Sequence, residues 1–232
     1  MGDRSLDRAA IAWTVALALM PWPLVYLGAY FLHSAVAAFG FYHGLCVTVW
    51  VFRRRACRCY PNRPVYARVW TGLLIAGLAV SIATAILLTV IGVPSWLVDP
   101  VLIRHAMAAL HAVFRFPACI GLYLYFAVVN PVAEEIFWRG VVYVRLRNAG
   151  CSVQSASIVS AVLFGSWHCL TVLLFFPPAM VVPVVMGIMA VGYVFAALYE
   201  RYRSLPALIL IHALTGDIPA LIALAWAVHA SS

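Results

Sequence analysis

The stretch "YLYFAVVNPVAEEIFWRGVVY" (residues 123–143) is apolar almost throughout, yet two glutamates stand side by side within it. Glu134 and Glu135 are two of only seven acidic residues in the chain of 232. The stretch has the roughly 20 residues that a transmembrane helix needs. A charged side chain inside such a helix costs about 2.5–3.5 kcal/mol even on insertion scales. The two carboxylates therefore indicate a functional site buried within a membrane helix.

The composition of the whole chain places this stretch in a membrane protein. Hydrophobic residues make up 66% and charged residues 9%, whereas about a quarter of a soluble domain is charged. We predict an all-α, polytopic membrane helix bundle, with the lipid bilayer as its first partner. The formal net charge is +8 and all fifteen basic residues are Arg. Because no soluble basic domain carries them, nucleic-acid binding is excluded. The oligomeric state is left open.

About seven segments have the length and character of transmembrane helices, and an eighth is typical of an interfacial helix. The predicted spans are roughly 9–32, 35–52, 70–93, 116 to the basic cluster near 145, 153–174, 179–199 and 204–227. The interfacial helix is predicted at residues 101–115, where Arg104, His111 and Arg115 share about one face.

The Arg residues lie at the ends of these segments. They cluster in the loop 53–68, at 145–147 and at 201–203, and the N-terminus carries Arg4 and Arg8. Short loops rich in Arg face the cytoplasm. We therefore expect a multi-pass protein of the cell (inner or plasma) membrane with a cytoplasmic N-terminus.

Three predicted spans carry an ionisable residue near mid-membrane. Counted from the nearest cytoplasmic boundary, Glu134 lies about 18 Å deep, His168 about 24 Å and His212 about 12 Å. The hydrocarbon layer is about 30 Å thick. Residues on three helices can therefore converge on one buried site.

The two adjacent glutamates are expected to have different roles. Glu135 and Arg139 are four residues apart and can pair on one helix face. Glu134 points about 100° away, and its own neighbour at that spacing is Trp138, which has no charge. Glu134 is thus free for another helix or for water, as a general base requires. The structural alternative is a Glu135–Arg139 pair that locks two helices together, with His168 and His212 as ordinary interhelical hydrogen bonders.

The dipeptide Asn130–Pro131 precedes the glutamates. Asn can cap a helix and Pro can occupy its first turn. We expect a fresh helical segment to begin here, so that the helix dipole favours the negative charge just behind it.

Three motifs follow one another along the chain: "EEIFWR" at 134–139, "FGSWH" at 164–168 and "HALTG" from His212. Together with the lead-in "NPVAEE" and the following "RGVVY", they resemble the CPBP family of intramembrane proteases, also called the Abi or CAAX prenyl endopeptidase-like family. The family pattern is E-E-x-x-x-R, then F-x-x-x-H, then H-x-x-x-N. The resemblance covers roughly residues 117–217.

The resemblance implies a glutamate-dependent endopeptidase. In this family the residues that correspond to Glu134 and His168 activate a water, and the one that corresponds to His212 stabilises the oxyanion with an Asn four residues later. This chain has Gly216 in place of that Asn, and Asp217 follows one residue late. Either a local unwinding at Gly216 brings Asp217 or a backbone N–H into place, or the fourth donor is absent. Asp217 is therefore the oxyanion candidate.

These inferences combine into one predicted organisation. Residues 1–115 form N-terminal membrane helices of open role, and residues 116–232 form a catalytic helix bundle. The predicted activity is intramembrane hydrolysis of a peptide bond in a membrane-associated protein or peptide by a Glu-activated water. The alternatives are a non-catalytic scaffold or immunity-type protein on the same fold, and a proton or ion carrier.

No cofactor and no metal are expected. The chain has no H-E-x-x-H motif, and two adjacent glutamates that point about 100° apart do not readily bind one ion. The alternative is a Zn²⁺ held by carboxylate and imidazole ligands.

Overall fold

The computed structural model describes residues 6–53, 66–91, 124–174 and 176–223. Across these ranges the chain forms seven helices and no strand. The predicted all-α class is confirmed. The predicted interfacial helix at 101–115 and most of the Arg-rich loop 53–68 lie outside the described residues.

The helices follow the predicted spans closely. They are α1 (Arg8–Phe31), α2 (Ala35–Arg53), α3 (Ala67–Ile91), α4 (residues 125–148), α5 (Val153–Val172), α6 (Pro178–Tyr202) and α7 (Leu205–Ala223). Among the described residues, five helices are long and apolar enough to cross a membrane: α1, α3, α5, α6 and α7. Helix α2 contributes a shorter apolar stretch, Val36–Phe52. The chain is a multi-pass membrane protein.

Helix α4, which carries the two glutamates, is the centre of the bundle. It contacts α1, α2, α5, α6 and α7, and nearly every side chain between residues 133 and 146 is buried. The outer helices instead expose apolar side chains, such as Val90 on α3 and Val182 on α6. Because protein and not lipid surrounds α4, this helix can hold several charged residues near the middle of the bundle.

The start of α4 differs from the sequence-based expectation. Asn130 does not cap a new segment, since the helix runs through it and the preceding residue, Val129, has helical dihedral angles. A π-helical turn, Tyr125–Val129, comes directly before Asn130–Pro131. The wider turn accommodates the proline ring, so the helix need not restart. The expectation that the dipole of a helix start favours the negative charge of the glutamates is therefore wrong.

A tight turn joins α1 to α2, as the sequence predicts. The backbone N–H of Ser34 donates to the Gly28 carbonyl at 2.8 Å, and His33 adopts a left-handed conformation with φ 49°. A Cβ on Gly28 would fall on the backbone of Ala38. Glycine at this position thus allows the end of α1 to touch the backbone of α2.

One end of the bundle collects the polar helix termini. The N–H of Asp7, just before α1, donates to the carbonyl of Ala149, just after α4, at 3.0 Å. Arg147 on α4 and Arg203 after α6 both pair with Glu200. The start of α1 and the ends of α4 and α6 therefore lie at the same end, as their predicted common orientation requires.

Candidate active site

The first element of the site is the predicted Glu135–Arg139 pair. Arg139 Nη1 donates to Glu135 Oε1 at 2.8 Å, and both side chains are at most 1% exposed. Arg139 Nη2 also donates to the Gly192 carbonyl of α6 at 3.1 Å. The guanidinium lies 4.7 Å from the ring centroid of Phe164 and 5.2 Å from that of Phe195. The pair thus joins α4 to α5 and α6 and neutralises one carboxylate.

The same carboxylate oxygen of Glu135 holds His212 of α7. The distance from His212 Nδ1 to Glu135 Oε1 is 2.8 Å. An ionised carboxylate only accepts hydrogen bonds, so Nδ1 carries a proton. The other ring nitrogen, Nε2, then faces Glu134 Oε2 at 3.6 Å and Asp217 Oδ1 at 3.9 Å. Glu135 therefore fixes both the tautomer and the direction of the imidazole.

Glu134 is held by α2, which lies outside the predicted catalytic region. The hydroxyl of Tyr42 donates to Glu134 Oε1 at 3.1 Å, and the indole N–H of Trp138 donates to the Tyr42 oxygen at 2.8 Å. All three residues are at most 2% exposed. One oxygen of Glu134 is thus bound, and the other turns towards His212.

A π-helical turn decides where Asp217 lies. The segment Ala213–Asp217 is π-helical, so residues five apart share a face. Asp217 therefore lies on the face of His212, on which an ordinary α-helix would place residue 216. A Cβ on Gly216 would lie 3.2 Å from His212 Cδ2, which is tighter than ordinary packing. The local unwinding considered from the sequence is present, and it brings Asp217 into the site.

A chain of hydrogen bonds runs from Asp217 back to α2. Asn130 Nδ2 donates to both carboxylate oxygens of Asp217, at 3.2 and 3.1 Å. Asn130 Oδ1 lies 2.9 Å from His43 Nε2, and His43 Nδ1 is bonded to the Tyr125 hydroxyl. Three carboxylates, Glu134, Glu135 and Asp217, thus surround one imidazole, and each receives its own donor.

His168 stands beside this cluster. Its Nδ1 donates to the Phe164 carbonyl at 2.7 Å, which leaves Nε2 with a lone pair. Its ring centroid is 3.9 Å from that of Trp167, which in turn lies 4.3 Å from the ring of Tyr42. Among the described residues, no hydrogen bond or ion pair joins His168 to Glu134. The structure thus brings Glu134, Glu135, Arg139, His212 and Asp217 together, and His168 lies beside them against the ring of Trp167.

Two residues of α2 were missed by the sequence reasoning. Tyr42 and His43 contact the site directly, and His43 is an ionisable residue in the middle of a predicted span. The same criterion, an ionisable residue near the middle of a predicted span, identified His168 and His212 and also applies to His43. Asn130 was noticed, but as a helix cap. For Tyr42 the sequence offers no such signal, because tyrosine is common in membrane helices.

The amino-acid sequence that forms most of this site matches a known protein family. Residues 116–216 match the family of type II CAAX prenyl endopeptidase Rce1-like proteins. The match confirms the resemblance to the CPBP family, and the matched segment is called the Rce1-like region below. It ends at Gly216, so Asp217, Tyr42 and His43 lie outside it. Searches of curated proteins and of solved structures gave no match. The match of this Rce1-like region supports a CAAX-type intramembrane protease as the general kind of protein.

The described side chains offer no ready-made metal site. Among them, no group of three or more His, Cys, Asp or Glu residues is arranged to hold a metal ion. That the activity needs no metal stays a prediction, and cleavage in the presence of a chelator tests it.

Proposed function

We propose that this chain is an intramembrane endopeptidase of the glutamic type, in which Glu134 activates a water. The observation that supports this most is the position of His212. Its Nδ1 is held by Glu135 at 2.8 Å, and its Nε2 faces the second oxygen of Glu134 at 3.6 Å. That separation exceeds a hydrogen bond, so one water lying beside both groups can bond to each of them.

These side chains can supply and accept every proton that the hydrolysis moves. Glu134 accepts a proton from the water as the water oxygen bonds to the peptide carbonyl carbon. The carbonyl oxygen becomes an oxyanion, which His212 stabilises through Nε2–H when the imidazole is protonated. The C–N bond then breaks, and the protonated Glu134 gives its proton to the leaving amine. Because the cluster is buried, fixed donors and charges act more strongly than they would in water.

The charge balance of the cluster supports a protonated His212. Three carboxylates meet one imidazole, and Arg139 is the only other cation in direct contact with them among the described residues. An uncompensated negative charge in a membrane interior is costly. A proton on His212 Nε2 reduces that charge and gives Nε2 the donor that the oxyanion needs. Glu135 and Arg139 are a supporting pair in this scheme.

His168 is proposed as a second acceptor for the water. Its Nδ1–H is occupied by the Phe164 carbonyl, so Nε2 is available as a base. Among the described residues His168 has no direct hydrogen bond to Glu134, and its ring packs on Trp167, which in turn packs on Tyr42. Catalytic hydrogen bonds are often longer before substrate binds, so His168 is expected to act through a bound water and not by direct contact.

The substrate is proposed to be a membrane-anchored or membrane-approaching peptide cut in the cytoplasmic half of the cell membrane. The match to CAAX prenyl endopeptidase-like proteins supports a peptide that carries a lipid near its C-terminus.

The end of the bundle shared by the start of α1 and the ends of α4 and α6 carries the Arg residues and is proposed to be cytoplasmic. A green fluorescent protein fused to the N-terminus is expected to fluoresce, and a periplasmic phosphatase fused there to stay inactive.

The proposed activity is tested with the wild-type protein and its Glu134→Gln variant. New N-termini are labelled and identified in membranes of cells that express either one, and both are also assayed in liposomes with a quenched peptide, with or without a farnesylated cysteine. Products that require Glu134 are expected in the first assay and cleavage in the second. Glu200→Gln, the same change at the end of α6, is the control and should cleave normally. An identical set of products with Glu134→Gln would favour the non-catalytic scaffold.

A proton or ion carrier is the second candidate, because the polar side chains form a long network. It runs from Tyr125 through His43, Asn130 and Asp217 towards His212. Such relays occur in membrane transporters. Proton or ion flux into liposomes that hold the purified protein, lost on Glu134→Gln while peptide cleavage is absent from the wild type, would favour the carrier.

A further inference from the structure

One amide hydrogen of Asn130 has no acceptor among the described residues. The two N–H bonds of an amide diverge widely, whereas the two oxygens of one carboxylate lie close together. A single N–H of Asn130 therefore serves both oxygens of Asp217. Within the described part of the chain, the second N–H has no protein acceptor, although Asn130 is only 6% exposed. A buried, fixed donor of this kind is available to a bound molecule.

The orientation of the amide is fixed from both sides. The carboxylate of Asp217 accepts hydrogen bonds, so the nitrogen of Asn130 must face it and the oxygen must face His43. His43 then donates from Nε2, at 2.9 Å, and accepts the Tyr125 hydroxyl at Nδ1. Each donor in this series of hydrogen bonds, from Tyr125 through His43 to Asn130, therefore points towards Asp217. The amide cannot flip without losing both of its partners.

The amide also lies next to the proposed base. Asn130 and Glu134 are four residues apart in the α-helical segment Asn130–Phe137, so their side chains are neighbours on one face. A water held by Glu134 attacks a carbonyl carbon, and the oxygen of that carbonyl is within reach of groups on the same face. Asp217 lies against both Asn130 and His212, and His212 Nε2 faces Glu134 Oε2 at 3.6 Å, so Asn130 and His212 are both neighbours of Glu134.

The other groups near this position offer fewer donors. His212 Nδ1–H is already given to Glu135, so His212 has a second N–H only when it is protonated. Gly216 has no side chain, and a Cβ there would lie 3.2 Å from His212 Cδ2. Asp217 as a carboxylate cannot donate. Of these described groups, Asn130 is the one that provides a donor without an added proton.

We propose that Asn130 is the amide donor that binds the oxyanion formed during peptide hydrolysis, and that Asp217 and His43 are positioning residues that hold its amide. The inference rests on the proposed endopeptidase activity and extends it by one catalytic residue. The N–H of Asn130 bonds to the carbonyl oxygen as negative charge develops there, and no covalent bond to Asn130 forms or breaks. The same oxygen receives Nε2–H of His212.

The test uses the full-length protein in liposomes, with a quenched peptide that carries a farnesylated cysteine and the aldehyde of the same peptide as a mimic of the tetrahedral state. Loss of one oxyanion donor typically lowers kcat about 10²–10³-fold. Asn130→Ala is expected to lower kcat by about that factor, to weaken the aldehyde in proportion, and to leave KM within about threefold. Asn148→Ala, the same change at the exposed end of α4, is the control and should behave as the wild type.

A second pair of variants keeps the test decisive if Asn130→Ala does not fold. The amide nitrogen of Gln can replace Nε2 of His43 as a donor, whereas Leu cannot. His43→Gln is expected to retain most of kcat, and His43→Leu to lose about tenfold or more with KM unchanged. Equal kcat values for the two variants would contradict a positioning role for His43 and the assignment of Asn130 with it.

The possible failures can be told apart. Asn130→Ala with a kcat within twofold of wild type, while Glu134→Gln is inactive, would refute the role of Asn130 and leave the peptidase intact. A loss of kcat with unchanged affinity for the aldehyde would make Asn130 a structural residue only. A wild-type protein that cleaves no more peptide than Glu134→Gln would end the proposed function, and the role of Asn130 would end with it.

Discussion

Substitution of Arg139 is expected to destabilise the whole bundle. Arg139→Gln removes the 2.8 Å ion pair with Glu135 and the 3.1 Å bond to the Gly192 carbonyl. It also removes a cation stacked between Phe164 and Phe195, a contact worth about 0.5–2 kcal/mol for each ring. Breaking one partner of a buried pair typically costs about 3–5 kcal/mol. We expect a loss of stability in that range.

A double-mutant cycle separates the pair from the rest of the site. Arg139→Gln, Glu135→Gln and the double variant are unfolded in mixed detergent micelles by titration with dodecyl sulfate, with helix content followed by circular dichroism. The double variant should lose about 1–3 kcal/mol less than the two single variants together. Arg201→Gln, on the exposed end of α6, is the control and should change stability by less than about 1 kcal/mol. Arg139→Gln with a stability within about 1 kcal/mol of wild type would contradict the pairing argument.

Three further predictions concern the environment of the site. Tyr42→Phe removes the hydroxyl bonded to the Glu134 carboxylate and should lower kcat about ten- to a hundredfold with little change in KM, since a hydrogen bond to a charged group contributes about 1.5–3 kcal/mol; an unchanged kcat in the peptide assay would show that α2 does not support the base. Gly28→Ala places a methyl group on the backbone of Ala38 and should destabilise the protein by about 1–3 kcal/mol or more. Gly40→Ala, where a Cβ meets nothing within 4 Å, should be neutral in the same unfolding titration. Cleavage by the purified protein should persist in a strong chelator and be unaffected by added Zn²⁺; its loss in chelator and return with metal would establish a metal enzyme.

The sequence by itself determined the class of the protein and most of the path of its chain. Apolar runs of about 20 residues predict membrane helices directly, because the bilayer sets their length. The described helices α1 to α7 lie close to the predicted spans for that reason. The Glu135–Arg139 pair was equally predictable, since a separation of four residues in a helix places two side chains together regardless of the fold.

Other parts of the site depended on contacts between distant segments. The bonds from Tyr42 to Glu134 and from His43 to Asn130 join positions separated by 92 and 87 residues. No local pattern along the chain specifies such a pairing. The role of Asn130 as a bridge, and not as a cap, follows from what α2 and α7 place opposite it.

The position of Asp217 shows most clearly what only the tertiary structure decided. Asp217 lies five positions after His212, and in a regular α-helix this spacing turns its side chain away from the imidazole. The π-helical turn Ala213–Asp217 returns it to that face, where it meets Asn130. Such a turn is intrinsically less favourable than α-helix and persists when surrounding contacts support it. The residue types of the site could therefore be read from the sequence, but their meeting around one imidazole required the packed bundle.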